Sequence, residues 1–248
     1  MSSPNDSKAP RRRRIYLMRH GAVTYFDATG RPVLPEEVPL NEEGRAQAIA
    51  AGLQFKQDGV RFDRVIVSGL PRTVQTAALV LGNAGLAETL TPEVWPELQE
   101  IRGGRLADIP REQIQQAFNG LSHGVLSEDQ RFLNGESIAE LLDRVLPAIS
   151  KLRAQTDWDN VLLVLHGVVN AAVLSHAMSG GGRMMLGSLV QAPACINVLD
   201  VGDAPADWLV RVVNFSPQHP LHTHTRHTTM EALLAQYLEY RLQYRSER

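Results

Sequence analysis

The sequence contains very little cysteine and few aromatic residues. Cys195 is its single cysteine among 248 residues, and Phe, Trp and Tyr together make up 6% of the chain. One cysteine excludes an internal disulfide, which indicates either a compartment where thiols stay reduced or a protein that has no need of oxidation. Because Cys195 lies in an apolar stretch, we predict that it belongs to the core.

The chain also lacks a long hydrophobic run and a strong charge imbalance. No segment approaches the roughly 18 apolar residues of a membrane helix, and residues 15–18 are too short an apolar run for a secretory signal. The net charge of −2 does not suit a general nucleic-acid binder, which needs a large basic surface. We therefore expect a cytoplasmic protein whose partners are neither membranes nor nucleic acids.

Apolar residues are abundant enough for one large domain, since 44% of the chain is hydrophobic. Helical patterns over 40–57 and 137–152 alternate with apolar runs typical of strands, and further strands are predicted at 194–201 and 208–215. This alternation predicts an α/β fold, a three-layer α/β/α sandwich with a largely parallel central sheet. A functional site would lie at the carboxyl ends of its strands.

The domain boundaries follow from composition. Residues 1–13 are small, polar and then basic, and we interpret them as a disordered tail rather than a lipid- or nucleic-acid-binding arm. Residues 14–217 form the main domain, and residues 218–248 form a His-rich linker followed by a C-terminal helix. The four linker histidines lack the spacing of a closed metal site, so no metal is predicted; they are His219, His222, His224 and His227.

One apolar strand runs straight into the tripeptide Arg19-His20-Gly21. A histidine at a strand end suits phosphoryl transfer when a neighbouring arginine can bind phosphate oxygens and a glycine lets backbone N–H groups approach an anion. Taken alone, such a tripeptide more often contains a structural histidine. The functional interpretation therefore depends on other segments.

Two further strand-to-helix turns carry residues of the same chemistry. Residues 65–77 predict a buried strand, a turn and a helix with Arg72 in its first turn, where a cation is unfavourable unless an anion binds. Residues 161–167 repeat the first pattern and end in His166 and Gly167. Together these turns predict a site that binds phosphate.

Two acids, Glu97 and Glu100, precede the glycine turn at residues 103–104. A carboxyl group that faces an anionic substrate in a partly closed pocket is suited to protonating a leaving alkoxide and then deprotonating water. Both acids are candidates, and the position of Glu100 relative to the glycines favours it.

With these motifs in this order, the sequence resembles the histidine phosphatase superfamily, also called the phosphoglycerate mutase-like family, over about residues 14–215. The stretches 39–48 and 134–137 are also similar to that family. The resemblance implies that His20 becomes a phosphohistidine and that Glu100 is the proton donor. It further implies a phosphate clamp of three residues, Arg19, Arg72 and His166. The insertion near 103–135 would form a cap over the pocket.

The segment after Gly21 departs from the family pattern. The family usually continues with Glu or Gln, then Thr, an aromatic residue and an Asn, whereas this chain continues Ala-Val-Thr-Tyr-Phe-Asp. Thr24 stands one place late and no Asn follows. The predicted phosphate- or substrate-binding residues outside the catalytic set are Gly21, Thr24, Tyr25, Arg102 and Gly167.

Elementary chemistry assigns roles to the two histidines. His20 can attack phosphorus only through an unprotonated ring nitrogen, so we predict that its other N–H is held in a fixed tautomer. A protonated His166 would add a donor beside the guanidinium groups, and such a donor set needs no metal or other cofactor.

We therefore predict a metal-independent phosphomonoesterase acting on a small phosphorylated metabolite. The alternatives are a phosphoglycerate mutase, whose typical long insertion is not evident, and a non-catalytic phospho-ligand- or protein-binding member of the fold. Thr228 to Glu231 predict a capping box at the start of the C-terminal helix. That helix either packs on its own domain or forms a homodimer contact, which we favour because it lies beyond the family resemblance.

Overall fold

The computed structural model describes residues 11–27, 31 and 33–246. The strands are Arg13–Arg19 (β1), Arg64–Val67 (β2), Glu93–Val94 (β3), Asn160–Leu165 (β4), Ile196–Val201 (β5) and Trp208–Phe215 (β6). The helices are Glu42–Gln57 (α1), Pro71–Ala84 (α2), Ile114–Asn119 (α3), Ile138–Ala154 (α4), Gly167–Met178 (α5) and Thr229–Ser246 (α6). Four short 3₁₀ turns lie between β3 and α4.

The described strands form one sheet in the order β3-β2-β4-β1-β5-β6. Strands β3, β2, β4 and β1 pair in parallel, and β5 is antiparallel to both of its neighbours. The prediction of a largely parallel sheet is confirmed. Because β1, β2 and β4 run in the same direction, the residues that follow them meet at one edge of the sheet.

Helices cover both faces of this sheet. Phe55 of α1 and Val80 of α2 pack with Met18 on one face, and the apolar sides of α4 and α5 pack with Ile15 and Leu17 on the other. These contacts confirm the predicted three-layer α/β/α sandwich. Each layer contains one helix whose apolar side was predicted from the sequence, α1 in the first layer and α4 in the second.

Local capping sets where two of the helices begin. Ser137 and Glu140 form a reciprocal capping box at the start of α4. At the start of α6 the backbone N–H of Glu231 donates to the Thr228 hydroxyl, and the Glu231 carboxylate accepts from the Thr228 N–H at 2.6 Å. The capping box predicted at Thr228 is therefore confirmed.

The predicted boundary of the basic tail is wrong at its carboxyl end. Arg13 already belongs to β1, and its guanidinium lies 4.4 Å from the ring centroid of Trp158. Arg11 and Arg12 form ion pairs with Asp159 and Asp207 at 3.1 and 2.7 Å. These acids and the tryptophan are distant in sequence, so local composition did not reveal them. Residues 1–10 lie outside the described residues.

Helix α6 packs on the insertion within its own chain. Leu234 and Tyr237 are buried in a small apolar cluster with Ile114 and Phe118, and the rings of Phe118 and Tyr237 stack with centroids 5.8 Å apart. One side of α6 therefore packs against its own chain, and the homodimer contact remains a prediction.

Among the residues that the structure describes, no helix combines the length and apolar character needed to cross a membrane. In the same part of the chain, no three or more His, Cys, Asp or Glu side chains are grouped so as to hold a metal ion.

Candidate active site

The two predicted catalytic histidines meet at the carboxyl edge of the sheet. His20 follows β1 and His166 follows β4, which is the neighbouring strand. Their ring centroids lie 5.2 Å apart at an angle of 65°, and the residues are 2% and 0% exposed. The parallel pairing of the two strands therefore brings together histidines that are separated by 145 intervening residues in the sequence.

A backbone carbonyl fixes the tautomer of His20. Its Nδ1 lies 2.7 Å from the carbonyl oxygen of Gly21. A carbonyl can only accept a hydrogen bond, so Nδ1 carries the proton and Nε2 keeps its lone pair. This is the fixed tautomer that a nucleophilic histidine requires.

Burial and neighbouring cations lower the pKa of both histidines. Burial lowers the pKa of His20 well below its ordinary value, and the charges of Arg19 and Arg72 lower it further. The pKa of His166 is also lowered, first by burial and then by His20 and the arginines. A protonated His166 that donates to a bound phosphoryl group stays a prediction.

Two arginines with little exposed surface flank the histidines. Arg19 is 7% exposed, and it donates to the carbonyl of Gln191 and to the Thr229 hydroxyl, the latter at 3.1 Å. Arg72, in the first turn of α2, is 2% exposed and donates to the carbonyl of Pro35. Each guanidinium group is thus held through one of its terminal nitrogens, Nη1.

Each member of the predicted phosphate clamp retains a buried nitrogen without a partner. Within the described part of the chain, Nε of Arg19, Nε of Arg72 and Nδ1 of His166 make no hydrogen bond. Buried polar atoms are rarely left unpaired because desolvation costs about 1 to 3 kcal/mol for each of them. An oxyanion bound between these residues would supply acceptors to the two arginine N–H groups and, once Nδ1 is protonated, to His166.

Ser68 and Thr76 support the site, and the sequence analysis gave neither a role. The Ser68 hydroxyl lies 2.7 Å from Nε2 of His166, and the Thr76 hydroxyl accepts from the N–H of Gly21 at 3.1 Å. Ser68 directly follows β2, as His20 and His166 follow their strands. Its place directly after a predicted strand was the sequence signal that could have identified Ser68, because residues that follow parallel strands meet at one edge of the sheet.

The structure separates the two candidate acids. Glu100 lines a cavity together with Arg19, and its carboxylate accepts from the N–H groups of Ile101 and Val168 at 3.0 and 3.2 Å. Glu97 is exposed and does not line that cavity. Val168 lies in the first turn of α5, where the helix dipole favours a carboxylate. The geometry therefore places Glu100, and not Glu97, at the site.

Arg144 anchors the backbone that carries Glu100. Its guanidinium donates to the carbonyls of Glu97, Gln99 and Glu100 and pairs with the Glu136 carboxylate at 2.7 Å. Burial opposes the ionisation of Glu136, but hydrogen bonds from Arg144 and from a backbone N–H outweigh it and lower its pKa. This role of Arg144 was not predicted.

The remaining predicted binding residues divide into two groups. Gly21, Thr24 and Tyr25 line a second cavity that includes His20, and the Thr24 hydroxyl accepts from the Asn41 side chain at 3.2 Å. Gly167 lines the cavity of Glu100. Arg102 is exposed and lines neither cavity, so the structure does not bring its side chain to the site.

Comparison with known families agrees with this geometry. Residues 15–214 match the model of the histidine phosphatase superfamily (branch 1). The chain belongs to this superfamily. The match includes every predicted catalytic residue and ends before α6, so the histidine phosphatase family model does not account for Thr229.

The names of individual relatives give different activities. The chain is 29% identical to a probable phosphoglycerate mutase GpmB of Salmonella paratyphi A over 163 residues, which are 65% of this chain and 73% of that protein. It is 32% identical to a 6-phosphofructo-2-kinase/fructose-2,6-bisphosphatase of Caenorhabditis elegans over 66% of this chain but only 34% of that protein.

A solved structure gives the same architecture. The crystal structure of a proposed alpha-ribazole-5'-P phosphatase from Escherichia coli aligns with a TM-score of 0.60 and 25% identity. The alignment covers 82% of this chain and 96% of that protein. These relatives are phosphatases or mutases by name, which supports phosphoryl-transfer chemistry without naming a substrate.

Proposed function

We propose that this histidine phosphatase superfamily member is a metal-independent phosphomonoesterase that hydrolyses a small phosphorylated metabolite through a phosphohistidine on His20. The observation that carries the proposal is the set of unpartnered buried nitrogens on Arg19, Arg72 and His166 around a histidine with a free Nε2. A phosphoryl group offers enough oxygens to accept from both arginines and from His166, whose Nδ1 takes up a proton when the anion binds, while the phosphorus faces Nε2 of His20.

The first step forms the phosphohistidine. The lone pair of His20 Nε2 attacks phosphorus, the bond from phosphorus to the alcohol oxygen breaks, and its electron pair stays with that oxygen. Protonated Glu100 then gives its proton to the leaving alkoxide. The arginines stabilise the charge that spreads over the three phosphoryl oxygens.

The second step hydrolyses the intermediate. The Glu100 carboxylate takes a proton from water, the water oxygen attacks phosphorus, and the bond from phosphorus to Nε2 breaks with its electron pair returned to His20. Phosphate leaves, and Glu100 is again protonated for the next cycle. Every step uses side chains of this chain and no metal.

The experiment described below also tests the two alternative functions from the sequence analysis. A mutase would return the phosphoryl group to a second hydroxyl, as the name of the GpmB relative suggests for that protein. A non-catalytic binder would hold a phosphate ester without turnover. The free nucleophilic nitrogen of His20 favours catalysis over simple binding, because a binding site gains nothing from it.

The deciding experiment is hydrolysis of p-nitrophenyl phosphate in excess EDTA by wild type, His20→Ala and Glu100→Ala, with exposed His219→Ala as the matched control. We expect activity that survives EDTA, is abolished without His20 and is unchanged in the control. Without Glu100 it should fall at least about tenfold, because the hydrolysis step loses its base, and at least about tenfold more for an alkyl phosphate, whose leaving oxygen also needs the proton. Isomerisation of 3-phosphoglycerate without phosphate release would identify a mutase, and phosphate binding without turnover would identify a binder.

We also propose a cytoplasmic location, a small-molecule partner and a homodimer through α6. The near-neutral charge and the single cysteine support the location. Exposed Leu238 on α6 is available to a second copy of the chain. Sedimentation of wild type and Leu238→Lys tests the dimer, because a shift to monomer in the variant is the expected result.

A further inference from the structure

The cavity that Glu100 lines combines two charged side chains with walls of a different chemistry. Among the described residues on its lining the charged side chains are Arg19 and Glu100, and the cavity has a volume of about 120 Å³. Its walls are mainly apolar, drawn from the insertion, α5, the loop before β5 and the start of α6. The side chains that form them include Leu121, Phe132, Ala171, Met185, Leu189 and Met230.

We infer that this cavity takes the alcohol portion of the substrate and selects one that is apolar and uncharged. The inference rests on the proposed role of Glu100 as proton donor, and binding can be measured without turnover. Glu100 has to lie against the leaving oxygen to protonate it, so whatever is attached to that oxygen extends into the cavity that Glu100 lines.

The charges around the cavity exclude a second anionic group. Among the residues that the structure describes, Arg19 is the one basic side chain on the cavity wall, and its contacts to Gln191 and Thr229 already occupy one guanidinium nitrogen. A substrate carboxylate or second phosphate would therefore be desolvated among apolar walls, with no further cation on the described lining to pair with it, at high cost.

The walls also offer few partners to a polyhydroxylated group. The hydroxyls on the described lining belong to Ser122, Thr228 and Thr229, and Thr229 already accepts from Arg19. Sites that bind sugars depend on several placed polar groups to replace lost water contacts. An alkyl or aromatic alcohol instead gains from burial, by up to about fourfold in affinity for each methylene group.

One wall comes from the part of the chain outside the family match. Thr228, Thr229 and Met230 lie beyond residue 214, and they close the cavity where α6 begins. Met230 also packs with the apolar cluster that joins α6 to the insertion. Selectivity in this chain therefore depends partly on its own C-terminal segment.

Phosphonates test the inference without turnover, because their carbon–phosphorus bond is not hydrolysed by this chemistry. Calorimetry should compare hexylphosphonate with 3-phosphonopropionate, which carries a carboxylate. We expect hexylphosphonate to bind at least about tenfold more tightly. Equal binding, or tighter binding of the carboxylate, overturns the inference.

A variant at the cavity wall tests the contribution of α6. Met230→Lys should shift the affinity ratio at least about tenfold towards 3-phosphonopropionate, since it places a cation on the apolar wall. Ala235→Lys, an exposed position also on α6 but outside the cavity, should leave the ratio unchanged. An unchanged ratio in a folded Met230→Lys variant overturns the assignment of this wall. Met230→Leu should keep the preference for hexylphosphonate.

The two proposals fail in different ways. Turnover of p-nitrophenyl phosphate without any preference between the phosphonates would overturn the apolar pocket and leave the phosphatase proposal standing. Selective binding of hexylphosphonate by a protein that turns over no phosphate ester would support the pocket and overturn the phosphatase proposal.

Discussion

The Ser68 hydroxyl fixes the proton of His166 on Nε2. Thr73 donates its own hydroxyl proton to the Leu70 carbonyl at 2.8 Å, so its oxygen, 3.1 Å from Ser68, can only accept the Ser68 proton. Ser68 must then accept from Nε2 of His166 at 2.7 Å. The bare Nδ1 of His166 therefore becomes a phosphate donor only after it takes up a proton.

Ser68→Ala should weaken anion binding more than it weakens the fold. It removes the acceptor that orients His166 and leaves a buried N–H unpaired, so we expect the inhibition constant of inorganic phosphate to rise about tenfold. Ser216→Ala, a buried serine that lines neither cavity at the site, should leave that constant unchanged. Equal inhibition of both variants by phosphate would contradict this role of Ser68.

Protein stability should fall as the pH drops below about 6.5, in part because of the two site histidines. The pKa of His20 and of His166 is lowered in the folded protein, so the unfolded chain takes up their protons first. Each histidine then removes up to about 1.4 kcal/mol of unfolding free energy per pH unit. The loss continues until the pH reaches the lowered, folded-state values.

The measurement for this prediction is chemical unfolding between pH 5 and 8, a window chosen around the ordinary histidine pKa. The double variant His20→Gln/His166→Gln should show a shallower decline than wild type, whereas exposed His219→Gln should follow wild type. Parallel curves for wild type and the double variant would show that the site histidines do not contribute to acid destabilisation.

The sequence predicted the parts of the site that have a local pattern. Arg19, His20 and His166 each end an apolar run that reads as a strand, and parallel strands bring such ends together. The contact between Arg19 and Thr229 joins residues 210 positions apart. No periodic or motif signal links them, because the contact depends on how α6 packs on the insertion.

The wrong tail boundary has a similar cause. Four consecutive arginines are typical of a solvated segment, and that interpretation ignores partners supplied by the tertiary fold. Trp158, Asp159 and Asp207 lie near the amino end of β1 and bind the side chains of residues 11–13. Composition alone could not show that acids and a tryptophan would meet these arginines.

Two helix glycines should respond in opposite ways to alanine. A Cβ at Gly52 of α1 would lie 2.6 Å from the carbonyl oxygen of Val80 and 2.8 Å from Cβ of Asn83, whereas a Cβ at Gly82 of α2 would meet no atom within 4 Å. We expect Gly52→Ala to destabilise by about 1 to 3 kcal/mol because the helices must separate. Gly82→Ala should stabilise by about 0.5 to 1 kcal/mol. Thermal unfolding of the two variants checks both signs, and stabilisation by both would mean that α1 and α2 pack less closely than described.

Arg144 should act on catalysis through the position of Glu100. Arg144→Met removes its contacts to three carbonyls and leaves the largely buried Glu136 carboxylate unpaired, which should cost about 3 kcal/mol or more. The matched control is Arg183→Met, since Arg183 pairs with two exposed acids and should cost less than about 1 kcal/mol.

The leaving group distinguishes positioning from a general loss of folded enzyme. An alkyl alkoxide needs the proton of Glu100, whereas p-nitrophenolate leaves with little help. In Arg144→Met, kcat should therefore fall at least about tenfold more for an alkyl phosphate than for p-nitrophenyl phosphate, and the ratio should stay constant in Arg183→Met. If kcat for both substrates fell equally in Arg144→Met, the arginine would support the fold without orienting Glu100. A selective fall would show that the buried Arg144 and Glu136 pair holds the proton donor in line with the leaving oxygen, across the 44 residues that separate Arg144 from Glu100.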